Sequence, residues 1–155
     1  MVARRVILEQ LAQLIASVER PHPVRVAIDG VDAAGKTTPA DELVAPIEEH
    51  GRPVIRASCD GFHRVRADRY QRGRDSPEGY YYDSFDYEAI RSALLVPLGP
   101  GGSGRYRSIA FDLDTNSSAH EPLCQAPPEC VLLFDGVFLL RPELNDHWDI
   151  RVSCR

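Results

Sequence analysis

The 155-residue sequence lacks the features of a secreted, membrane-spanning or metal-scaffolded protein. Its four cysteines show neither metal-ligand spacing nor the density of a disulfide framework, which favours reduced thiols in a cytoplasmic protein. The first twenty residues are too polar for a signal peptide or a membrane span. The net charge of -5 argues against nucleic acid as a partner, because a phosphate backbone requires clustered positive charge. We therefore expect a cytoplasmic protein that binds neither membrane nor nucleic acid.

Several patterns of catalytic residues are absent as well. The five histidines lack metal-ligand spacing, and the sequence has no Gly-x-Ser-x-Gly motif and no cysteine–histidine nucleophile pattern. It also has no Asn-Lys-x-Asp motif for guanine specificity, which disfavours a GTPase-like switch. No internal repeat is present. Chemistry on a nucleotide phosphate is the activity that the remaining motifs support.

The most informative positive feature is residues 30–37, which match GxxxxGK[ST], the phosphate-binding loop. An apolar run at 24–28 leads into the loop, and a predicted helix at 36–50 leaves it, so the loop lies between strand and helix. Backbone N–H groups and the helix N-terminus favour phosphate oxygens, Lys36 adds a positive charge, and the Thr37 hydroxyl suits Mg²⁺. The predicted nucleotide-binding residues are Gly30, Asp32, Ala33, Ala34, Gly35, Lys36, Thr37 and Thr38, and Lys36 is also predicted to be catalytic.

The remaining pattern predicts one α/β domain over residues 1–155. We predict an N-terminal helix within 1–20, a helix at 87–96, and strands at 24–28, 53–58, 131–135 and 149–153. Residues 61–85 show little periodicity, 105–113 suggest one or two exposed strands, and 115–128 suggest a surface loop. Alternating strands and helices indicate a P-loop NTPase fold, three-layer α/β/α with a mostly parallel sheet, in which 61–113 forms the substrate side. The N-terminal helix has apolar residues at helical spacing: Val6, Ile7, Leu11, Leu14, Ile15 and Val18.

Two carboxylates follow predicted strands and should meet Lys36 and Thr37 at the carboxyl edge of the sheet. Asp135 comes after four apolar residues, so it is either a Mg²⁺ ligand of the Walker B type or a turn-forming residue before glycine. Asp60 is either the catalytic base that takes the proton of an acceptor hydroxyl, or a capping residue. His63 is either a substrate contact or a solvated side chain.

Two other clusters have two interpretations each. Tyr80, Tyr81 and Tyr82 either contact a small polar acceptor, together with Asp86, or serve in packing. The stretch 64–74 holds five arginines and either faces nucleotide phosphates or forms a solvated loop.

At these residues the chain resembles the uridine kinase family of P-loop kinases. The resemblance rests on four segments, 28–38, 59–64, 84–87 and 133–138, and extends over roughly residues 20 to 152. It implies Mg²⁺-dependent phosphorylation, by ATP or GTP, of the 5′-hydroxyl of uridine or cytidine. Kinases of nicotinamide riboside and pantothenate, and phosphoribulokinases, share the same plan, so a different small hydroxyl acceptor is an alternative.

The resemblance also implies roles for individual residues. Asp60 matches the catalytic base of the family, and Asp86 matches a carboxylate that contacts the ribose. His63 stands where the family often has a substrate-contacting tyrosine, and Tyr106 lies near another substrate aromatic. Asp135 replaces a glutamate that also serves Mg²⁺. Phe111 stands where some members place a base-contacting histidine.

The chain departs from the family pattern in two places. Pro39 removes a backbone N–H where a helix starting at 35 or 36 needs its first donor, although a start one residue later would tolerate it. The family continues beyond the strand at 150–152 with a helix, an arginine-bearing lid and a further strand, so this chain looks C-terminally truncated. Without that further strand one edge of the sheet would stay open, which would favour association of the chain into a homo-oligomer. The alternative to a kinase is a nucleotide-binding module without catalysis.

Overall fold

The structure is a computed structural model that describes residues 2–30 and 39–154. Its helices are α1 (Val2–Ser17), α2 (Pro39–Glu49), α3 (Arg66–Arg69), α4 (Pro77–Asp83), α5 (Tyr87–Ile90) and α6 (Pro142–Asn145). Its strands are β1 (Val24–Gly30), β2 (Val54–Ser58), β3 (Arg105–Tyr106), β4 (Phe111–Asp112), β5 (Ser117–Ser118), β6 (Cys124–Gln125), β7 (Val131–Gly136) and β8 (Ile150–Cys154).

The four longer strands form one sheet in the order β2-β7-β1-β8, and every neighbouring pair is parallel. The register places Asp135 beside Ile28 of β1 on one side and beside Ser58 of β2 on the other. The predicted parallel α/β sheet is therefore confirmed. Its central strands are near-continuous apolar runs because both faces of a parallel sheet are covered.

Helices and turns cover both faces of this sheet, so the predicted three layers are also confirmed. On one face, Val26 and Leu133 pack with Ile15 of α1 and with Leu43 and Ile47 of α2. On the other face lie buried side chains from β2 and β7, from the turns that follow them, and from the helical segment after residue 86: Ala57, Leu132, Phe134, Phe62, Leu94 and Trp148. The alternation of side chains along each strand separates these two apolar clusters.

Helix α1 buries part of the apolar set that its spacing predicts, since Ile15 lies in the core and Leu11 and Val18 pack against it. Ala12 and Ile15 are fully buried, but Val6, Ile7 and Leu14 keep 44%, 62% and 58% of their surface exposed. The apolar residues of α1 extend around more than one face of the helix, and only one of those faces can contact the sheet and α2.

Helix α2 ends as expected, since Gly51 follows it with φ +83°. The helix contains Pro46 in its interior and begins at Pro39 among the described residues. A proline in the first turn costs little because the N–H groups of that turn have no intrahelical acceptor. The predicted start at Lys36 lies outside the described residues.

The segment between β2 and β7 has more regular structure than predicted. Helices α3 and α4 interrupt the stretch expected to be irregular, and the side chain of Ser76 caps α4 by accepting a hydrogen bond from the N–H of Gly79. Helix α5 continues in a π-helical turn at Arg91–Leu95, which confirms the helix predicted at 87–96. The expected surface loop at 115–128 instead supplies β5 and β6, which pair with β4 and β3. Among the described helices, none combines the length and the apolar character needed to cross a bilayer.

Candidate functional site

The carboxyl ends of β1, β2 and β7 meet at one edge of the sheet, as the sequence predicted for its motif residues. Gly30 ends β1 there, Asp135 lies at the end of β7, and β2 continues into a 3₁₀ turn at Cys59–Phe62 that contains Asp60. Seven of the predicted phosphate-loop residues lie outside the described residues: Asp32, Ala33, Ala34, Gly35, Lys36, Thr37 and Thr38. The described part of the site therefore contains the two carboxylates, Asp60 and Asp135, and only the first residue of the phosphate loop, Gly30.

A close approach between two turns fixes the spacing at this edge. A Cβ added to Gly136 would collide with the Sγ atom of Cys59, so only glycine lets the end of β7 approach the 3₁₀ turn this closely. The N–H of Leu139 donates to Oδ1 of Asp29 at 3.0 Å and ties the segment after β7 to the end of β1. Burial raises the pKa of the Cys59 thiol to about 12, so this sulfur stays protonated and unreactive.

Asp60 presents its carboxylate to solvent at the start of the 3₁₀ turn. The side chain is 76% exposed, and its Oδ1 lies 3.6 Å from Nε2 of His63. The interaction with His63 lowers the pKa of Asp60, although partial burial acts in the opposite direction. Asp60 does not cap the turn, because the Ser58 side chain accepts the N–H of Asp60 at 3.2 Å and has that role. The geometry leaves an ionised carboxylate facing the open side of the site.

A cavity of about 490 Å³ opens beside Asp60 and Arg56, between the edge of β2 and the β4–β5 hairpin. A second cavity of about 190 Å³ adjoins it at Phe111 and is lined by His63 and Asp86. The two cavities thus lie side by side between the sheet edge and the hairpin, with Phe111 in the lining of both.

The two predicted substrate residues of the smaller cavity differ in how their polar atoms are used. The His63 ring packs on Phe85 with centroids 4.8 Å apart, and its buried Nδ1 has no hydrogen-bond partner among the described residues. Asp86 accepts the N–H of Ala89 at 3.0 Å and so caps α5. A buried nitrogen without a partner is costly, so a ligand group or water that bonds to His63 Nδ1 would stabilise the site.

The structure does not bring Tyr106 into either of these two cavities. It lies in β3, opposite Cys124 of β6, and packs against the apolar cluster that contains Phe62. Burial raises the pKa of its hydroxyl. Phe111, in contrast, lines both cavities.

Asp135 is paired with an arginine that the sequence analysis did not select. Nη2 of Arg56 lies 2.9 Å from Oδ1 of Asp135, and Nε and Nη2 of Arg56 donate to Oδ1 of Asp41 in the first turn of α2. Burial raises the pKa of Asp135, and the Arg56 charge counteracts part of this. The sequence contains one sign of this pairing: Arg56 is a charged residue inside the predicted strand 53–58.

The site fits Mg²⁺, as far as the described residues show. Asp135 is only 20% exposed, and its Oδ1 is close to Arg56 but accepts no hydrogen bond of good geometry. Within residues 2–30 and 39–154, no group of three or more potential ligands could hold a metal ion without help. Mg²⁺ in phosphoryl-transfer sites usually takes one or two carboxylates together with phosphate oxygens, so one carboxylate at this edge suits it.

Of the three clustered tyrosines, Tyr81 packs against the buried Arg141. The guanidinium of Arg141 lies 4.1 Å from the ring centre of Tyr81 and 3.8 Å from that of Tyr87. Phe138 packs edge-on against Tyr81 at 5.0 Å and adopts φ +59°, a conformation that is uncommon for a non-glycine residue. Tyr80 and Tyr82 remain exposed.

Comparison with known proteins gives matches to kinases and one other enzyme. No protein-family profile matches the chain. It is 38% identical over 100 residues to the cobyric acid synthase of Rhizobium meliloti (strain 1021), which covers 58% of this chain and 18% of that protein. It is 26% identical over 134 residues to the uridine kinase of Leuconostoc citreum (strain KM20). That match covers 84% of this chain and 60% of that protein. The chain thus spans less than two thirds of the length of either protein.

Solved structures with a similar fold are also kinases. A protein described as a possible uridine kinase from Bacillus stearothermophilus has a TM-score of 0.81 at 24% identity, covering 99% of this chain and 83% of that one. A protein assigned as a fructose transport system kinase from Silicibacter sp. TM1040 has a TM-score of 0.70 at 27% identity, covering 94% and 73%. D-Glycerate 3-kinase from Cryptococcus neoformans matches less closely, with a TM-score of 0.54 at 15% identity over 83% and 51%.

The fold and the phosphate-loop sequence are therefore similar to those of P-loop kinases. Within that class the chain is uridine-kinase-like in both sequence and structure, which confirms the resemblance found in its motifs.

Proposed function

We propose that this chain acts as a P-loop kinase that transfers the γ-phosphoryl group of ATP to a hydroxyl of a small acceptor. The acceptor we propose is the 5′-hydroxyl of a nucleoside similar to uridine or cytidine. The observation that carries this proposal is the position of Asp60. Its exposed carboxylate lines the cavity of about 490 Å³ at the sheet edge that holds Asp135 and receives the phosphate loop.

In this reaction Asp60 accepts the proton of the acceptor hydroxyl. The freed oxygen forms a bond to the γ-phosphorus while the bond from that phosphorus to the β–γ bridging oxygen breaks, giving a phosphate ester and a nucleoside diphosphate. The lowered pKa of Asp60 keeps its carboxylate ionised at neutral pH, the state in which it can orient and deprotonate a hydroxyl.

The smaller cavity supports the binding of a polar acceptor. His63 Nδ1 is buried without a partner there, so an acceptor hydroxyl would satisfy it. Asp86 lines the same cavity and can accept a hydrogen bond in addition to the one that caps α5. Two polar groups on one wall suit the adjacent hydroxyls of a ribose.

Asp135 and Thr37 are the residues that would hold Mg²⁺, with ATP phosphates on Gly30, Lys36 and the rest of the phosphate loop. The ion would neutralise charge that develops on the transferred group. Arg56 holds one oxygen of Asp135 and thereby orients the carboxylate.

The same ion pair favours a second candidate, a nucleotide-binding module without turnover. The Arg56 guanidinium neutralises the carboxylate that a metal would need, and it is also anchored by the carbonyls of Ala57 and Leu133. If Arg56 kept Asp135 from the metal, the nucleotide could bind without hydrolysis and without transfer of its γ-phosphoryl group.

An ADP-release assay with a panel of nucleosides and other small hydroxyl compounds separates the two candidates. We expect stimulation by at least one nucleoside, loss of turnover by about a thousandfold or more in Asp60→Asn, and unchanged ATP affinity by calorimetry. The control is Asp114→Asn, which removes the same charge from an exposed hairpin residue. ATP binding with no stimulation by any acceptor would favour the binding module. Equal loss of ATP binding and turnover in Asp60→Asn would assign Asp60 a structural role.

A further inference from the structure

A third cavity, separate from Asp60 and Asp86, lies between α3 and the tip of the β4–β5 hairpin. Its volume is about 860 Å³, and its main lining residues are Arg66, Arg69, Tyr70, Arg74, Leu113 and Asn116. The three arginines come from the arginine-rich stretch 64–74, which the proposed kinase mechanism does not use.

The charge of this cavity differs from that of the cavity beside Asp60. Among the described residues, three arginines line it and no carboxylate does. The cavity beside Asp60 has the opposite balance, with one arginine and the carboxylates of Asp41, Asp60, Asp112 and Glu121. In a chain with net charge -5, a cavity whose charged lining residues are all positive is an unusual local arrangement.

The neighbouring arginines of the stretch are neutralised, but these three are not. Arg64 pairs with Asp68 and Asp83, and Arg72 pairs with Asp83 at 3.1 Å and with Glu78. For Arg66, Arg69 and Arg74, the described part of the chain supplies no carboxylate within ion-pair distance.

Two of the three guanidiniums are held close to the same aromatic ring. The Cζ atoms of Arg69 and Arg74 each lie 5.1 Å from the centre of the Tyr70 ring. Nε of Arg69 also donates to the carbonyl of Arg64 at 2.9 Å, which fixes its position. Positive charges that line the same cavity repel each other, and the aromatic ring offsets only part of that cost. A bound anion would remove the repulsion.

The opposite wall of the cavity is held in place by the hairpin tip. Asn116 adopts φ +51°, and its side-chain oxygen accepts the backbone N–H of Arg66 at 2.7 Å. This bond ties the hairpin to the start of α3. The backbone at Arg66 and the hairpin tip, which both line the cavity, are thus linked, and this linkage reduces the ordering cost of binding a ligand between them.

We propose that Arg66, Arg69 and Arg74 form a binding site for a phosphate monoester. A single guanidinium satisfies a carboxylate by a two-point contact, whereas three guanidiniums match the charge and the several oxygen acceptors of a phosphate dianion. Leu113 lines both this cavity and the one beside Asp60, so a ligand anchored here can extend toward the catalytic carboxylate. The phosphate belongs either to the acceptor, a use that rests on the proposed kinase function, or to a separate effector.

The binding test is a titration of the full chain with inorganic phosphate, followed by ¹H–¹⁵N NMR. We expect shifts at Arg66–Arg74 and Asn116 that weaken with added salt, and a rise of at least about tenfold in Kd in Arg66→Gln/Arg74→Gln. Both residues are exposed, so the variant should keep the wild-type spectrum elsewhere. The matched control is Arg20→Gln/Arg105→Gln, which removes the same charge from exposed positions away from the cavity. Shifts confined to the phosphate loop, or the same loss of affinity in the control, would overturn the proposal.

A kinetic arm distinguishes the two sources of the phosphate. Each of several sugar phosphates is compared with its parent sugar as acceptor, with ATP as donor. A higher kcat/KM for a phosphorylated acceptor that disappears in Arg66→Gln/Arg74→Gln assigns the site to the acceptor. Phosphate binding by NMR without such a preference assigns it to an effector. If neither these sugars nor any compound of the nucleoside panel is phosphorylated, the kinase proposal fails, while the NMR result still decides whether the anion site exists.

Discussion

Two arginine–aspartate pairs lie at opposite ends of the central sheet, and they differ in what surrounds them. Arg25 and Asp149, near the amino end of β1, are 7% and 11% exposed, and Arg25 also donates to the carbonyl of Leu95. Arg56 and Asp135, at the carboxyl end, are 25% and 20% exposed beside an open cavity. The first pair is enclosed and fully bonded. The second lies beside the cavity where Asp60 is proposed to meet the acceptor hydroxyl.

This difference shows that a buried ion pair has a role set by its surroundings. At the amino end, the Asp149 carboxylate accepts both the backbone N–H of Arg25 at 2.8 Å and its Nε at 3.1 Å. Gly99 leaves room for the guanidinium, since a Cβ there would lie 2.7 Å from Nη1. No polar atom of this pair is available to a ligand, so we assign it to stability alone.

The largest effect on stability should come from Arg25→Met. Removing one partner leaves the Asp149 charge buried and unpaired, so we expect the free energy of unfolding to fall by about 3–5 kcal/mol. Urea unfolding at constant protein concentration measures it. The control is Arg25→Met/Asp149→Asn, which keeps a hydrogen-bond acceptor without the charge and should recover a large part of the loss. No recovery would show that the loss comes from packing.

Asp135→Asn should affect binding more than stability. Asn keeps the shape of the side chain but removes the charge that Mg²⁺ requires, so we expect Mg·ATP affinity to fall about 10- to 100-fold. The free energy of unfolding should change by no more than about 1 kcal/mol because this pair is partly solvated. Calorimetric titrations with and without Mg²⁺ measure the effect. The same ATP affinity with and without the ion, in wild type and variant, would contradict a metal role.

Arg56→Met should destabilise the fold less than Arg25→Met. Water can reach the Asp135 carboxylate from the cavity once the guanidinium is gone, so we expect a loss of about 1–2 kcal/mol. Urea unfolding of both variants in parallel gives the comparison. Equal losses would mean that the two pairs are equally enclosed in solution, against the difference in exposure described above.

The smallest effect that we predict is a difference in the labelling rates of Cys59, Cys124 and Cys130 at pH 8. Burial raises the pKa of Cys59 at the site end and of Cys130 before β7, whereas Cys124 is exposed. A thiol with a raised pKa stays protonated and unreactive below that pKa. We therefore expect Cys124 to be alkylated at least about ten times faster than the other two, measured by peptide mass spectrometry. Fast labelling of Cys59 alone would show that the site end of the sheet opens readily.

The sequence was sufficient to predict the sheet, because its strands are compact apolar runs between turn residues. Residues 131–135 and 24–28 were predicted as strands from that pattern, and both form the centre of the sheet. The ends of parallel strands share one edge, so the convergence of Asp60 and Asp135 followed from topology without any knowledge of side-chain contacts.

Other features depend on contacts that a single sequence does not contain. The buried face of α1 was predicted only in part: Ile15 is buried as expected, but tertiary packing left Leu14 exposed and selected Ala12, because apolar residues extend around much of the helix. Arg56 was missed because its partners, Asp41 and Asp135, are distant in sequence. The short strands β5 and β6 exist only through pairing with β4 and β3, so their own residues carry little β signal.

The strand order has a consequence for how the chain folds. Strands β1 and β2 are both made early in synthesis, yet in the sheet each is bonded to β7, which starts at Val131, and not to the other. The centre of the sheet therefore cannot close until most of the chain is present, and the loop-closure entropy must be overcome in one late step. Until then, two apolar strands lack their partner. We expect slow folding, and dependence on chaperones during translation, to be properties of this topology.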